Sequence, residues 1–598
     1  MSSAVAGKKE ESMKTVGVLV CVGAAMFCTG IRSWGQNRPA ILVVVPEDDS
    51  TTTASSVYRL SASAAPNSRV TLNGQPQFVY PSGAFCGLLP LAVGENRFTV
   101  VATSVDSSKA EKTFVIVRTP PPVPLRFDTL AIDSIQMRPA QDRWLDAGQL
   151  LEVECRGTPG CKATFLDGVP MTEFGADGAR GGRGVYRGVY RVGEGDHLLN
   201  TPITFRLEDS LGHVVERSTT ARVSFRSSDF PLVAVTRGDR PLLYYGLGDD
   251  RLGGAVLQRL VAGVRLAING KTGTMYRVAL GDREEAWIDE ESVSLLPQGT
   301  YPPYSLTGNW NVYGDSLYDY VTVAMNDRLP YVSNPDIDPG HIVVDVYGAV
   351  ANTNWIIQTL TTREITNVSY RENGKGDVRI TIGLRHQQLW GYSIAYRGSM
   401  LVIRVRRQPE HLKIKALRFI VDAGHGGDNN GALGSTGVKE KDINLATALH
   451  LKEILEDRGA TVLLTRGADS SVSMARRLSV ATRDDADMLI SVHANSIGYA
   501  TNPADVRGVS TYYKYLAYRP LSLCILHRIL GLDLPATGNV GSFNFYLNSV
   551  TEMPTVLVEQ AYMSNPLDEM KLMDDDFRKE LARAIVKGIQ DFLDGCEE

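Results

Sequence analysis

The sequence predicts a multidomain protein in which several all-β domains precede a C-terminal α/β doubly wound domain. A chain of 598 residues is too long for one core, since a domain takes roughly 100 to 200 residues. Residues 40–410 show short alternating strands between turn residues. The last unit, residues 411–598, alternates apolar strands with helical patterns, which is typical of an α/β sheet covered by helices.

The overall composition is that of an ordinary globular protein. The net charge is −5, charged residues make up 22% and hydrophobic residues 43% of the chain. Binding to nucleic acid usually needs a basic excess, which this chain lacks. We therefore expect no nucleic-acid partner.

Residues 1–35 predict a signal peptide or an uncleaved N-terminal anchor. Lys8, Lys9 and Lys14 precede an apolar run over residues 16–27, and Arg32 follows it. The run is shorter than the roughly 20 residues that a spanning helix needs, which favours an export signal. The prediction is an exported protein of the periplasm or cell envelope, anchored to the membrane if the signal stays uncleaved.

Five of the seven cysteines lie outside this signal, and they form no obvious disulfide framework. Cys155 and Cys161 flank a short turn that contains Gly157 and Gly160. They form either a small loop bridge or two unpaired thiols. No pair has the CxxC spacing that a thiolate zinc site would use.

The first two β-rich units, residues 36–122 and 123–228, share a hairpin signal. Asn73-Gly74 in the first unit has a counterpart in Asp167-Gly168 in the second, and such pairs favour tight hairpin turns. We interpret the units as a weak repeat of two immunoglobulin-like β-sandwiches joined by a proline-rich linker. The alternative is two similar hairpins without a common architecture.

Two further β-rich units follow. Residues 229–298 contain closely spaced strands with aromatic residues and resemble the small Src-homology-3-like barrels of bacterial wall enzymes. Residues 299–410 contain an apolar strand near His341 and close on another at residues 401–405. Both units are predicted to be all-β.

The last unit has a regular alternation of elements. A helical stripe ends at Gly459, a typical helix stop, and a second helix follows Ser473, a typical helix cap. The predicted elements are a helix with Leu445, Ala448, Leu451 and Leu455 on one face, a strand at 461–464, a helix at 473–483, a strand at 488–492 and a final helix at 577–592.

Three apolar runs of this unit each lead to one chemically active side chain. Residues 419–423 lead to His425, residues 488–492 to His493, and residues 555–558 to Glu559. The carboxyl ends of parallel strands lie at one edge of a sheet, where ligands bind. If the three strands are neighbours, these side chains converge on one crevice.

Two histidines with a carboxylate suit a catalytic zinc ion, which takes three protein ligands and leaves a fourth position open. Glu440 and Asp442 both follow His425 closely enough to supply the carboxylate, and spacing does not choose between them. Glu559 is better placed as a general base. A single histidine after a strand is more often structural, so the hypothesis depends on the three residues together. The other histidines lack such companions: His197, His213, His341, His386, His411, His450 and His527.

Four motifs of this unit resemble the zinc-dependent N-acetylmuramoyl-L-alanine amidases. In order they are VDAGHGG at 421–427, GVKEKDINL at 437–445, SVHAN at 491–495, and PTVLVE at 554–559 followed by MSN at 563–565. The resemblance implies zinc ligands at His425, Glu440 and His493, and a catalytic acid–base at Glu559. It thereby favours Glu440 over Asp442 and makes residues 411–598 a zinc amidase domain.

The same resemblance implies the substrate, which is the amide between N-acetylmuramic acid and L-alanine of the peptidoglycan stem peptide. Residues 299–410, just upstream, resemble the AMIN module of such enzymes. Expected partners are peptidoglycan and, through the N-terminal β-domains, envelope or divisome proteins. Two alternatives stay open: a non-catalytic scaffold that binds the cell wall, and a zinc peptidase that acts on stem-peptide bonds.

Three details qualify the resemblance. Relatives have a glycine before the aromatic residue where this chain has Gln560-Ala561-Tyr562.

Regulated relatives carry an inserted blocking helix after the second histidine. In this chain residues 496–507 leave no room for such a helix, which predicts an enzyme that is active without an activator. Arg477 lies where relatives often have an arginine, but a surface salt bridge explains it equally well, so we leave it out of the predicted site.

Overall fold

The structure is a computed structural model, and it describes most of the chain from residue 40 onward. The predicted signal or anchor, residues 1–35, lies outside the described residues. No helix within the described ranges combines the length and the hydropathy that a membrane span needs. The described residues are 40–120, 129–174, 183–227, 229–248, 253–281, 284–336, 340–374, 376–483 and 485–597.

The N-terminal region folds into two β-sheets around one core. Its eight strands are β1 (Leu42–Val45), β2 (Ser50–Thr53), β3 (Val57–Ser63), β4 (Arg69–Leu72), β5 (Gln75–Gln77), β6 (Ala84–Pro90), β7 (Gly94–Thr103) and β8 (Lys109–Arg118). The sheets have the orders β1-β3-β6 and β2-β8-β7-β4-β5. Asn73 and Gly74 join β4 to β5 with φ of 49° and 80°. Two positive φ values match the predicted tight hairpin.

The next strands form one continuous 15-stranded sheet. They are β9 (Ile132–Arg138), β10 (Arg143–Leu145), β11 (Leu150–Gly157), β12 (Lys162–Phe165), β13 (Val169–Phe174), β14 (Val185–Arg191), β15 (Leu198–Glu208), β16 (Val214–Phe225), β17 (Leu232–Thr236), β18 (Leu242–Tyr244), β19 (Val256–Arg259), β20 (Arg265–Thr272), β21 (Met275–Ala279), β22 (Glu285–Asp289) and β23 (Val293–Leu295). The predicted hairpin at Asp167-Gly168 joins β12 to β13. Because β10 pairs with both β16 and β20, the sheet crosses the predicted domain boundary.

Cys155 and Cys161 are both free thiols in the structure. Cys155 is fully buried, and its burial raises the pKa of the thiol to about 12. A buried protonated thiol packs as a small apolar group. Of the two alternatives, the structure therefore has the unpaired thiols.

The last upstream unit shares its core with the preceding strands. Its strands are β24 (Ser305–Leu306), β25 (Trp310–Gly314), β26 (Tyr318–Val323), β27 (Tyr331–Asp336), β28 (His341–Tyr347), β29 (Ala349–Val350), β30 (Ile356–Gln358), β31 (Ile365–Glu372), β32 (Asp377–Leu384), β33 (Tyr392–Arg397) and β34 (Met400–Arg406). One hydrophobic cluster joins residues from β17 to β34 and extends to Tyr518 of the C-terminal unit. The upstream strands are thus packed onto the unit that carries the predicted site.

The C-terminal unit is a six-stranded sheet with the order β36-β35-β37-β40-β38-β39. Its elements are β35 (Arg418–Ala423), α1 (Glu440–Asp457), β36 (Thr461–Leu464), α2 (Met474–Arg483), β37 (Met488–Asn495), β38 (Val509–Tyr512), α3 (Arg519–Leu530), β39 (Ala536–Val540), β40 (Thr555–Tyr562), α4 (Pro566–Met573) and α5 (Asp575–Glu597). The three strands that lead to His425, His493 and Glu559 are parallel neighbours, as predicted. Strand β38 runs antiparallel to β40, a direction that the sequence does not indicate.

Helices cover both faces of this sheet because its buried residues alternate between two cores. Phe419 and Val421 of β35 pack in the cluster that contains α1, α3 and α5, whereas Ile420 packs with Leu478 of α2. Strand residues point to opposite faces in turn, so an all-apolar strand is buried on both sides. The predicted helices are confirmed, including the stop at Gly459, which has a φ of 85°.

Candidate active site and metal centre

The structure brings together His425, Glu440 and His493. His425 Nε2 and His493 Nδ1 each lie 3.1 Å from Glu440 Oε1, and the ligand atoms of the three residues all lie within 4.8 Å of one another. Within the part of the chain that the structure describes, no other group of His, Cys, Asp or Glu could hold a metal ion. Asp442, the alternative carboxylate, is exposed and lies outside this group.

His425 occupies an unusual backbone position just after β35. Its φ is 61°, a left-handed conformation that non-glycine residues rarely adopt and that persists only where surrounding contacts fix it. Here the fixing contact is Arg477, whose Nη2 donates to the His425 carbonyl at 2.5 Å. The His425 Nδ1 atom lies 3.0 Å from Asn429 Oδ1, which leaves Nε2 facing Glu440.

Arg477 also forms a buried ion pair beneath the site. Its Nη1 atom donates to Asp422 Oδ1 at 2.6 Å, and the two side chains are 4% and 2% exposed. Burial alone would raise the pKa of Asp422, but the charge of Arg477 and the hydroxyls of Thr465 and Ser491 hold it below its usual range. Arg477 is therefore a positioning residue that sequence reasoning set aside, although its helical spacing of four from the buried Ala481 was a usable signal.

His493 and Glu559 lie side by side on neighbouring parallel strands. The two residues are register partners in the pairing of β37 with β40, and both strands extend beyond the predicted ends. Gly424 allows His493 to approach, since a Cβ on Gly424 would lie 2.3 Å from the His493 ring. Burial lowers the pKa of His493, but its hydrogen bond to Glu440 and the negative charge of Glu559 raise it overall.

Glu440 begins helix α1, and its carboxylate is fully engaged. Oε2 accepts the Ala432 amide at 2.8 Å, and Oε1 accepts the Ala494 amide and the Asn444 side chain, both at 3.1 Å. Burial disfavours the charged form, yet the hydrogen bonds and charges of His425 and His493 hold the pKa of Glu440 well below its usual range. The carboxylate is thus ionised at neutral pH, the form that binds a metal.

Gln560 connects the strand of Glu559 to both ligand elements. Its Nε2 atom donates to Asn444 Oδ1 at 3.0 Å and to the His493 carbonyl at 3.1 Å, and its Oε1 accepts the Thr447 hydroxyl at 2.6 Å. Gln560 therefore takes part in orienting the site. Asn444 and Gln560 were missed because an amide within a helix or strand gives no distinctive sequence signal.

Tyr512, Phe543 and Phe545 form an aromatic wall beside the metal centre. The Phe545 ring lies 5.9 Å from the His493 ring, Phe543 stacks on Phe545 at 4.8 Å, and Tyr512 lies 4.5 Å from Phe543, each measured between centroids. All three residues are half-buried. Sequence reasoning missed this wall because two of its members lie in an irregular segment without apolar periodicity. The wall gives one side of the cleft an apolar surface.

Contacts from an upstream strand hold the segment that carries the aromatic wall. Arg259 Nη2, from β19, donates to the Tyr546 carbonyl at 2.6 Å, and the guanidinium lies 4.1 Å from the centre of the Tyr546 ring. Lys514 donates to Asn544 Oδ1 at 2.5 Å. The position of the wall therefore depends on residues outside the C-terminal unit.

Comparison with known proteins supports an enzymatic role for the C-terminal unit. The sequence profile of the N-acetylmuramoyl-L-alanine amidase family matches residues 419–591. An uncharacterised protein of Bacillus subtilis, YqiI, is 33% identical over 212 residues, which make up 35% of this chain and 99% of YqiI. All four motifs noted in the sequence lie within the range that the family profile matches.

Two further relatives have descriptive names. The probable cell wall amidase LytH of Staphylococcus aureus is 32% identical over 174 residues, and the match spans 29% of this chain and 57% of LytH. The solved catalytic domain of CwlV, an N-acetylmuramoyl-L-alanine amidase from Bacillus (Paenibacillus) polymyxa var. colistinus, is 34% identical. That match covers 30% of this chain and 98% of the CwlV domain, with a TM-score of 0.28.

Proposed function

Because this chain belongs to the N-acetylmuramoyl-L-alanine amidase family, we propose that it hydrolyses the amide between N-acetylmuramic acid and L-alanine of peptidoglycan, with residues 411–598 as the catalytic domain. The observation that carries the proposal is the convergence of His425, Glu440 and His493 next to Glu559. Two imidazoles and one carboxylate, with a second carboxylate alongside, are the groups that metal-assisted amide hydrolysis requires.

The three side chains fit a zinc ion. Two imidazole nitrogens and one carboxylate oxygen form a common catalytic donor set for zinc, and the ligand atoms here already lie within 4.8 Å of one another. Asn429 bonds to the His425 ring and Asn444 to the Glu440 carboxylate, and hydrogen bonds of this kind orient the ligands of metal sites. A zinc ion held there supplies Lewis-acid activation of a water molecule and of the amide carbonyl.

Glu559 is proposed as the general acid–base. Its register position beside His493 supports this role, in which it accepts the proton of the attacking water. It then returns that proton to the leaving amine of L-alanine, so no covalent intermediate is needed. Proton transfer by such a group contributes roughly 100- to 10,000-fold in rate. The aromatic wall presents apolar ring surface beside His493.

We propose an envelope role for the rest of the chain. The two-sheet core of residues 40–120 and the β-rich units that follow support two immunoglobulin-like sandwiches, a Src-homology-3-like barrel and an AMIN-like domain. Export directed by residues 1–35, and contacts of the β-domains with envelope or divisome proteins, are consistent with a peptidoglycan substrate.

The proposal is tested by digesting purified peptidoglycan with the full chain, with and without a chelator, and with Glu559→Gln. We expect release of intact stem peptides that begin with L-alanine, seen by mass spectrometry, and loss of release in the chelated enzyme and in Glu559→Gln. Glu580→Gln, a change on the exposed surface of α5, is the matched control and should leave the activity unchanged.

Three other results would decide for different functions. Shortened stem peptides still attached to the glycan would indicate a zinc peptidase. Zinc-loaded protein that binds the wall and releases nothing would indicate a scaffold. Full activity of Glu559→Gln would remove Glu559 from the mechanism.

A further inference from the structure

The N-terminal β-domain, residues 40–120, lies against the segment that follows the second histidine. We call residues 496–507 the rim segment, because it begins three residues after His493. The backbone amide of Arg59 on β3 donates to the Tyr499 carbonyl at 2.7 Å, and Arg59 Nη1 donates to the Ile497 carbonyl at 2.7 Å. The Tyr58 ring stacks on the Tyr499 ring at 5.3 Å with nearly parallel planes.

Arg59 is buried to an extent that is unusual for an arginine. It is 5% exposed, and among the described residues no carboxylate pairs with its guanidinium. Burying a charged group is costly unless its hydrogen bonds are satisfied. The acceptors of its Nη1 atom lie in the rim segment, where Ile497 contributes its carbonyl and Ser496 its hydroxyl at 3.4 Å, whereas the buried Nε has no hydrogen-bond acceptor among the described residues. The Arg59 guanidinium therefore stabilises the contact with the catalytic domain and contributes little to the stability of the sheet that contains β3.

The same domain also contacts the loop before the carboxylate ligand. Leu433 packs against the core of the N-terminal β-domain. Its neighbour Ala432 exchanges two hydrogen bonds with Glu440, from the Ala432 amide to Oε2 at 2.8 Å and from the Glu440 amide to the Ala432 carbonyl at 2.9 Å. One domain thus touches the segments next to two of the three candidate ligands.

From these contacts we propose that the N-terminal β-domain completes the active-site cleft in cis, with Arg59 as a positioning residue that fixes residues 496–499 of the rim segment. The cleft then has its catalytically competent shape only when the N-terminal β-domain is packed against the catalytic domain. The effect on catalysis rests on the proposed amidase function, whereas the effect on the order of the rim segment does not.

The rim segment contains its own internal control. Its far end is held by contacts that do not involve Arg59: Asn565 Nδ2 donates to the Pro503 carbonyl at 2.8 Å, Asp568 accepts the amide of the adjoining Gly508 at 2.6 Å, and β6 of the N-terminal β-domain packs against Pro503–Asp505. Loss of the Arg59 side chain should therefore raise hydrogen exchange over residues 496–500 and leave hydrogen exchange over residues 503–508 unchanged.

The experiment compares the full chain with Arg59→Ala, Arg59→Lys and a control, Arg97→Ala, which removes an exposed pair on the same domain. Hydrogen exchange is measured over residues 496–500 and 503–508, together with kcat, KM and bound zinc. A hydrogen bond from a charged donor contributes about 1.5–3 kcal/mol, so exchange over 496–500 should rise roughly tenfold or more in Arg59→Ala. Arg59→Lys, which keeps the charge, should restore part of the protection.

For catalysis, displacement of groups near the reacting atoms costs up to roughly a hundredfold, so we expect a ten- to hundredfold fall in kcat/KM of Arg59→Ala. Zinc content should not change, because the ligands are held within the catalytic domain. A merely structural role would lower the melting temperature without this localised exchange and without rescue by lysine.

Two outcomes would overturn the proposal. One is unchanged hydrogen exchange over residues 496–500 in Arg59→Ala, and the other is raised exchange over these residues with an unchanged kcat/KM. If Arg59→Ala does not fold, Tyr499→Ala removes the ring stack from the catalytic side and must raise exchange over the same residues. If the parent protein releases no stem peptide, the amidase proposal fails, while the exchange data still decide whether the domain orders the rim.

Discussion

The candidate metal centre and the walls of the cleft beside it are stabilised in different ways. The ligands are held by side chains of the catalytic domain itself, namely Arg477, Asn444 and Gln560. The walls are held by distant parts of the chain, since Arg59 fixes the rim segment and Arg259 binds the segment of the aromatic wall. The metal centre is therefore local, whereas the shape of the cleft depends on the whole protein.

This difference indicates how function is divided along the chain. The family profile matches residues 419–591, which contain every predicted ligand and Glu559, but neither Arg59 nor Arg259. The chemistry thus belongs to the part shared with relatives. The upstream β-domains contact the segments beside the metal centre and contribute none of its candidate ligands.

The variant with the largest expected effect tests whether the metal centre depends only on side chains of the catalytic domain. Glu440→Ala removes the carboxylate that both imidazoles contact, so we expect loss of zinc and of hydrolysis below detection. Asp442→Ala is the matched control, because this side chain is exposed and lies outside the cluster. Metal analysis and peptidoglycan digestion check both variants. Zinc retention in Glu440→Ala with loss in Asp442→Ala would reverse the assignment.

A smaller effect is expected for the buried ion pair between Arg477 and Asp422, which lies beneath the ligands. Arg477→Ala leaves the Asp422 carboxylate buried without its partner, which costs about 3–5 kcal/mol of unfolding free energy. Arg528→Ala breaks a solvent-exposed pair with Asp591 in the same domain and should cost far less, because water and salt screen an exposed pair. Denaturant unfolding followed by tryptophan fluorescence measures both. Equal costs would mean that Arg477 is no more than a surface partner.

Much of the metal centre could be predicted because its signals are local. Apolar runs that lead directly to His425, His493 and Glu559 predicted neighbouring strands, and the structure has them as neighbours. Spacing could not separate Glu440 from Asp442, since α1 begins at Glu440 itself. Residues two apart on a helix point in nearly opposite directions, which is why only Glu440 joins the cluster.

The rest of the cleft could not be predicted because its determinants act across long sequence separations. Arg59 and Ile497 are 438 residues apart, and nothing near either residue indicates their contact. The same holds for Arg259 and Tyr546. The antiparallel strand β38 was missed for a related reason, since the direction of a strand depends on its connections and not on its composition.

The smallest effects test the upstream contact on the aromatic wall. Truncating Phe545 removes apolar surface beside His493, and the loss of roughly 1.4 kcal/mol in transition-state binding would lower kcat/KM about tenfold. Arg259→Ala loses a cation–π contact and a hydrogen bond to the same segment, for which we expect a fall of about threefold. Arg237→Ala, which removes an exposed hydrogen bond to the Glu291 carbonyl from the same group of strands, is the control.

The double variant decides whether Arg259 acts through the wall. If it does, Arg259→Ala should have almost no further effect once Phe545 is alanine, because the group that it positions is gone. Independent roles would instead give the product of the two single effects, about thirtyfold. Multiplicative losses would mean that Arg259 affects the cleft by a route other than the aromatic wall. The comparison between a local metal centre and a cleft shaped by distant residues would then hold only for the side that Arg59 supports.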